Sequence, residues 1–191
     1  MKKFKKIILW VLGSIITLAL LIFFVVGPIM RKQTKKHSPE KHITFNQNDL
    51  EIRTFYSSPS KKGRVIFGEL VPYNIVWRTG ANEASTFTTN KDLEINGSKL
   101  KSGTYTLWTI PHEDSWDIIF NTKMYDWGVD FQNGEASRES DFDALITRVN
   151  VLKSATIVEN FDISYLETST NTFVMTFSWD DVTVPVKILI E

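Results

Sequence analysis

The chain has 191 residues, of which 42% are hydrophobic and 23% charged, a balance typical of a folded protein rather than a disordered one. It contains no cysteine and only three histidines, which excludes disulfides, thiolate metal sites and cysteine nucleophiles and leaves too few imidazoles for a multi-histidine metal site. The formal net charge is zero, but the charges are unevenly distributed.

The N-terminal end of the chain is basic and the remainder is acidic. The charged residues before position 37 are all basic: Lys2, Lys3, Lys5, Lys6, Arg31, Lys32, Lys35 and Lys36. Without these eight, 14 basic side chains face 22 acidic ones, so the rest of the chain carries a net charge of −8. Because binding to a phosphate backbone depends on a basic face, the sequence predicts no nucleic-acid partner.

Residues 7–26 form an uncharged, apolar run of twenty residues. A helix of that length spans ~30 Å, the thickness of the hydrocarbon part of a bilayer. Bulky Phe23 and Phe24 lie where a cleaved signal peptide, the alternative interpretation, needs small side chains. The sequence therefore predicts a single-pass anchor in residues 1–30 that contacts the lipid bilayer through residues 7–26, followed by a basic, polar tether in residues 31–42.

The body, residues 43–191, alternates apolar and polar side chains, which is the pattern of strands with one buried face. Asn96-Gly97 between short apolar runs indicates a tight hairpin turn. Strands are predicted at 41–46, 50–56, 74–78, 84–89, 92–96, 104–110, 115–120, 145–151, 156–164, 172–179 and 182–190.

The fold class that follows is all-β: an antiparallel β-sandwich, with a jelly-roll-like arrangement or an open barrel as alternatives, preceded by one N-terminal transmembrane helix. Single helical turns are expected only near 66–70 and 139–144. Residues 121–143 form the longest predicted irregular stretch, and loops of that length are often functional.

The most distinctive motif is VWRTGAN, residues 76–82. Trp77 is expected to face the core, which turns Arg78 to the opposite face, and Gly80 suits a turn with positive φ. Arg78 at a strand end, with Asn82 and turn N–H groups beside it, is suited to hold a carboxylate or another anion. The alternative is that Arg78 pairs with one of the many acids of the body and fixes the turn.

Aromatic side chains supply the second group of candidates. Trp77, Trp116 and Trp179 fit the buried pattern of a sandwich core, whereas Trp108 and Trp127 are less constrained. Exposed aromatic faces at loop ends stack flat ligands such as sugars, and Tyr73 and Trp127 are the candidates for that role.

Catalytic and metal-binding patterns are weak in this sequence. His112, in a turn, is a candidate base. Either Asp126 with Asp130 or Asp141 with Asp143 could form a carboxylate pair or supply oxygen ligands for calcium, but their spacing fits no standard calcium loop. We expect no catalytic residue, metal or cofactor.

Several strings of the body resemble the family called domain of unknown function 2911, found mainly in bacteria of the Bacteroidetes type. The matching strings are KGR at 62–64, IFG at 66–68, LVPY at 70–73, VWRTGAN at 76–82, SGTYTLWTIP at 102–111, DWG at 126–128 and VPV at 184–186. The resemblance covers about residues 41–191 in the same order. It implies an exported or membrane-attached β-rich domain, which places the body outside the cytoplasm, and it assigns no activity.

Together, these observations predict a membrane-anchored, non-enzymatic binding or structural module. Its binding face would surround the VWRTGAN turn at Tyr73, Arg78, Asn82 and Trp127 and take a small anionic or carbohydrate ligand. One alternative is a hydrolase of envelope material with Asp126 or another loop acid as base and Arg78 as anion clamp. A pure scaffold, in which the turn only fixes the topology, is the other.

Overall fold

The computed structural model describes residues 2–130 and 132–191. Met1 and Phe131, which belong to the predicted anchor and the predicted long loop, lie outside the described residues. The chain divides into two compact units, Met1–His37 and Ser38–Glu191.

The first unit is helical. Helix α1 spans Lys2–Leu21, a π-helical turn follows at Ile22–Val26, and helix α2 spans Gly27–His37. The helical stretch is long and apolar enough to cross a membrane, and an N-terminal signal sequence meets the same criteria. Residues 31–37 of the predicted tether are helical, and the basic side chains in the last turn of α2 interact favourably with the negative end of the helix dipole.

The second unit is built from antiparallel strands. Their bounds are β1 Glu40–Gln47, β2 Leu50–Ser57, β3 Thr86–Thr89, β4 Leu93–Ile95, β5 Ser98–Leu100, β6 Gly103–Pro111, β7 Ser115–Asn121, β8 Asp143–Asn150, β9 Leu152–Ser169 and β10 Thr172–Ile190. A 3-10 turn at Ser140–Phe142 confirms the helical turn predicted near 139–144. Residues 66–70 form a turn closed by the Val71 N–H on the Ile66 carbonyl, so the helical turn predicted there was wrong.

The strands form two sheets that pack face to face. The larger sheet has the order β1-β2-β3-β6-β7-β8, and the smaller has the order β5-β4-β10-β9. Their inner faces share one apolar core, to which the large sheet contributes Ile52, Phe87 and Phe120 and the small sheet contributes Phe161 and Phe177. The predicted antiparallel β-sandwich is confirmed.

Strand β10 differs from the prediction in its bounds but agrees with it in the side chains that face the core. The two strands predicted at 172–179 and 182–190 are one strand, interrupted by a bulge at Asp180, which has φ 56°. The extra residue shifts the alternation by one position, so Trp179 and Val182 both face the core. The inward faces predicted on either side of the bulge are therefore continuous.

Two other strand predictions differ from the structure, and one observed strand was not predicted. Residues 74–78 form only an isolated bridge from Trp77 to Thr109, since Asn74 (φ 63°) and Thr79 (φ 55°) end the extended backbone on both sides. Strand β9 is longer than predicted. Strand β5, which was not predicted, pairs with β4 across the Asn96-Gly97 turn, where both residues have positive φ.

A second, smaller apolar cluster lies on the outer face of the large sheet. Trp108 and Ile119 are fully buried there although they point away from the main core. They are covered by side chains from two loop regions, Val76 from one and Tyr125 and Ala136 from the other. These two loop regions, residues 74–85 and 122–139, position the candidate site.

Candidate functional site

The VWRTGAN motif folds into a turn with unusual backbone conformations. Thr79, Gly80 and Asn82 all have positive φ, at 55°, 146° and 60°. Positive φ is strained for a β-branched residue such as Thr79, and strain of this kind persists only where surrounding contacts hold it.

Those contacts come from the turn itself and from neighbouring backbone. The Ser85 hydroxyl donates to the Thr79 carbonyl at 2.7 Å, and the Trp77 indole N–H donates to the Gly80 carbonyl at 3.1 Å. The Ala81 N–H donates to the Ser57 carbonyl at 3.2 Å. A Cβ on Gly80 would lie 2.8 Å from that same Ser57 oxygen, so glycine is required there. The turn is thus fixed without any contribution from the Arg78 guanidinium.

Arg78 carries an unpaired, partly buried cation. Its Nε is buried and has no hydrogen-bond partner, and among the described residues no carboxylate forms an ion pair with it. Burial lowers the pKa of Arg78 from its ordinary value, because the charged form loses hydration that nothing replaces. A desolvated guanidinium without a counter-ion is unfavourable and is the group that an anionic ligand satisfies best.

Asn82 places a second unpaired donor in the same turn. The residue is only 9% exposed, and its side-chain Nδ2 is buried without a partner. Its backbone carbonyl accepts a hydrogen bond from the Gly128 N–H at 3.1 Å. Two of the three buried, unpartnered side-chain atoms found in the described residues therefore belong to this one turn, the third being on Gln47.

Gly128 holds the Arg78 side chain in position. A Cβ on Gly128 would lie within 2.6 Å of the Arg78 Cβ and nearer still to its Cδ, so the aliphatic part of Arg78 rests directly on the loop backbone. Sequence reasoning missed this residue, although the DWG string at 126–128 marked it. The loop around Gly128 is itself a short hairpin, with a bridge between Val129 and Ala136.

The predicted site residues are brought together only in part. Arg78 and Asn82 share the turn, and half-buried Trp127 precedes the glycine that contacts both of them. The ring of Tyr73 packs against Gly68. In the described parts of the chain, no hydrogen bond or ring contact joins Tyr73 to Arg78 or Asn82.

The tryptophans predicted to be core residues behave as expected. Trp116 and Trp179 are 1% exposed, and Trp77 packs against the core with its ring stacked on Trp179 at a centroid distance of 5.9 Å. Trp108, which sequence reasoning left open, is fully buried in the outer cluster and donates from its indole N–H to the Thr106 hydroxyl at 3.0 Å.

The sequence also did not predict a polar network on the outer face of the larger sheet. The Arg148 guanidinium donates to both oxygens of Asp117 at 2.6 and 2.8 Å, and His112 Nε2 lies 3.1 Å from Asp117 Oδ2. The other imidazole nitrogen lies 2.5 Å from Asn74 Oδ1. Both ring nitrogens are therefore engaged, which leaves His112 no free nitrogen for the role of a base.

The acidic candidates do not assemble a metal site. Asp143 is bound by Arg138 and by the Asn121 amide, and Asp130 accepts the Gln132 N–H at 2.7 Å. Asp126 is exposed. Among the described residues, no group of three or more His, Asp or Glu side chains is arranged to hold a metal ion.

Comparison with known proteins identifies the body by its sequence. No curated protein and no solved structure matches the chain. The strings that carry the sequence resemblance now have places in the fold: VWRTGAN forms the turn, DWG supplies Gly128, and SGTYTLWTIP forms β6 with the turn before it. A family model matches residues 38–188, and the chain belongs to that family, described as protein of unknown function (DUF2911).

Proposed function

We propose that the body of this protein is a non-enzymatic module that binds a small anion at the turn 78–82, and that the N-terminal helix holds it at a membrane. The observation that carries the proposal is the pair of buried, unpartnered donors, Arg78 Nε and Asn82 Nδ2, in one turn. Buried polar groups in folded proteins are almost always hydrogen-bonded, so two buried donors without partners in one turn indicate that a binding partner is absent. That partner has to be an acceptor, since both atoms are donors.

The turn fits a binding role better than a purely structural one. A scaffold needs the turn to be rigid, and the contacts of Ser57, Thr79, Gly80 and Ser85 already achieve this. The Arg78 charge adds a desolvation cost to such a scaffold without a compensating ion pair. An anion that binds there offsets this cost.

The hydrolase alternative receives less support from the geometry. A general base has to be held within hydrogen-bond reach of the proton it removes. Asp126 is exposed, and no described hydrogen bond orients its carboxylate.

Thermal unfolding of the full chain in detergent tests the proposal. The sodium salts of acetate, phosphate and sulfate would be titrated at constant ionic strength into the wild type, an Arg78→Gln variant and an Arg53→Gln variant. Arg53 is the matched control, because it is an exposed arginine paired with Glu51 at 2.6 Å, away from the turn.

We expect at least one salt to raise the melting temperature of the wild type and of Arg53→Gln but not of Arg78→Gln. A ligand at 100 times its Kd stabilises a protein by about 2.7 kcal/mol, which for a chain of this size is about 5–10 °C. Equal responses of all three proteins to every salt would show that no anion site exists at Arg78.

A further inference from the structure

The hydrogen-bonding groups of the turn indicate which class of anion would bind there. This inference rests on the proposed function. The two buried, unpartnered atoms, Arg78 Nε and Asn82 Nδ2, are both N–H donors. A group that satisfies them offers lone pairs and no hydrogen. Carboxylates meet that condition, whereas a sugar hydroxyl brings a proton that needs an acceptor of its own.

The net charge of the ligand distinguishes a carboxylate from a phosphate monoester. Arg78 contributes one positive charge, and the charged residues nearest in sequence to the turn and to Gly128 are acidic: Glu83 after the turn, and Asp126 and Asp130 on either side of Gly128. A phosphate monoester carries about −1.5 to −2 at neutral pH, so it would place surplus negative charge among these acids. A carboxylate carries a single charge, which Arg78 balances.

The planar shape of the Arg78 guanidinium also favours a carboxylate. The guanidinium is planar and presents paired N–H groups that match the two oxygens of a carboxylate. Because the Arg78 stem rests on the Gly128 backbone and its Nε is buried, the orientation of the fork is fixed before a ligand arrives. Trp127 is half-buried and precedes Gly128 in the chain, so its ring is the candidate apolar surface for the carbon skeleton that carries the acid.

We infer that the ligand of the turn 78–82 is a small organic monocarboxylate, bound by Arg78 and Asn82 through the carboxylate and by Trp127 through its carbon skeleton.

Isothermal titration calorimetry with four matched probes tests this inference on the full chain in detergent. Benzoate and phenyl phosphate differ only in the anionic group, benzamide is the neutral counterpart, and a methyl glucoside represents a neutral sugar. We expect benzoate to bind at least tenfold more tightly than phenyl phosphate, and neither neutral probe to bind measurably.

Two substitutions in the turn give independent checks. Arg78→Lys keeps the charge but loses the planar fork, so we expect benzoate to bind at least tenfold more weakly. Asn82→Asp places an internal carboxylate in the same turn as Arg78, at a position whose φ of 60° aspartate tolerates. We expect this variant to melt at a higher temperature and to lose benzoate binding, while Arg53→Lys changes neither property.

The outcomes distinguish the two proposals. Phenyl phosphate binding more tightly than benzoate, and depending on Arg78, would overturn the carboxylate inference and leave the anion site standing. Binding of neither anion, or binding that Arg78→Lys and Asn82→Asp leave unchanged, would overturn both. A methyl glucoside that binds through Trp127, losing affinity in Trp127→Leu but not in Arg78→Lys, would also overturn both.

Discussion

At the scale of single residues, the contact between the Arg78 side chain and Gly128 is the feature on which the candidate site depends. The aliphatic stem of Arg78 can rest on the loop backbone because Gly128 has no side chain, and the Arg78 Nε has no hydrogen-bond partner among the described residues. The same turn holds Thr79 at a φ of 55°, a conformation that is strained for a β-branched residue and that the contacts around the turn maintain.

The Gly128→Ala variant measures how much the site depends on that contact. The new methyl group would collide with the Arg78 stem, so we expect a loss of about 1–3 kcal/mol in the free energy of unfolding and a weaker affinity for the anion. Denaturant unfolding and calorimetry with benzoate are the measurements.

Gly134 in the same loop is the control for Gly128. It has open space around its Cβ position but a φ of 74°, so Gly134→Ala should cost about 1–2 kcal/mol for the left-handed backbone alone. Its anion affinity should match that of the wild type. If both variants bind the anion equally well, Gly128 does not position Arg78.

At the scale of elements, the outer face of the large sheet is divided between apolar and polar contacts. Trp108 and Ile119 are covered by loops, while Asp117 on β7 is held by Arg148 on β8 and by His112 from the hairpin between β6 and β7. The Arg148 hydrogen bonds, followed by the His112 contact, hold the pKa of Asp117 below its usual value. The network therefore links three consecutive segments of the sheet through one carboxylate.

Acid should weaken this link. Because the pKa of Asp117 is lowered in the folded state, its contribution to stability is present above the unfolded value of about 3.9 and is lost as the pH falls through the lower folded value. We expect Asp117→Asn to destabilise the protein by about 1 kcal/mol at pH 7 and by less at pH 3.

Urea unfolding at several pH values between 3 and 7 measures the change. Asp126→Asn is the matched control, since Asp126 is exposed and no described hydrogen bond involves its carboxylate. A stability difference between Asp117→Asn and the wild type that does not shrink on acidification would contradict the assignment.

At the scale of the whole molecule, alternation along the chain was enough to predict the class of fold. The two-residue period of β10 identified the side chains that face the core, and VWRTGAN brought Arg78 and Asn82 together because both belong to one turn. Local patterns do not show what lies opposite a residue in the fold. Gly128 is fifty positions from Arg78, and the burial of Trp108 depends on Tyr125 from a loop that no periodicity places. A bulge such as that at Asp180 likewise looks like a strand end until the pairing is known.

Removal of the first unit tests the division of the chain. We expect a chain limited to Ser38–Glu191 to be soluble, to give a β-type circular dichroism spectrum and to melt cooperatively, because the apolar core lies within that unit. The full chain should stay in the membrane pellet after a carbonate wash and keep its first residues. A soluble chain with a new N-terminus near residue 30 would show that the helix is a cleaved signal sequence.

Strand β10 lies between β9 and β4 in the smaller sheet and supplies a continuous row of core side chains from Phe173 to Ile188. Until residues 172–190 have left the ribosome, β9 and β4 have no common partner and one wall of the core is missing. Maturation of the body is therefore expected to wait for its late segment. The arrangement that completes the sandwich would then also set the step of synthesis at which its core can close.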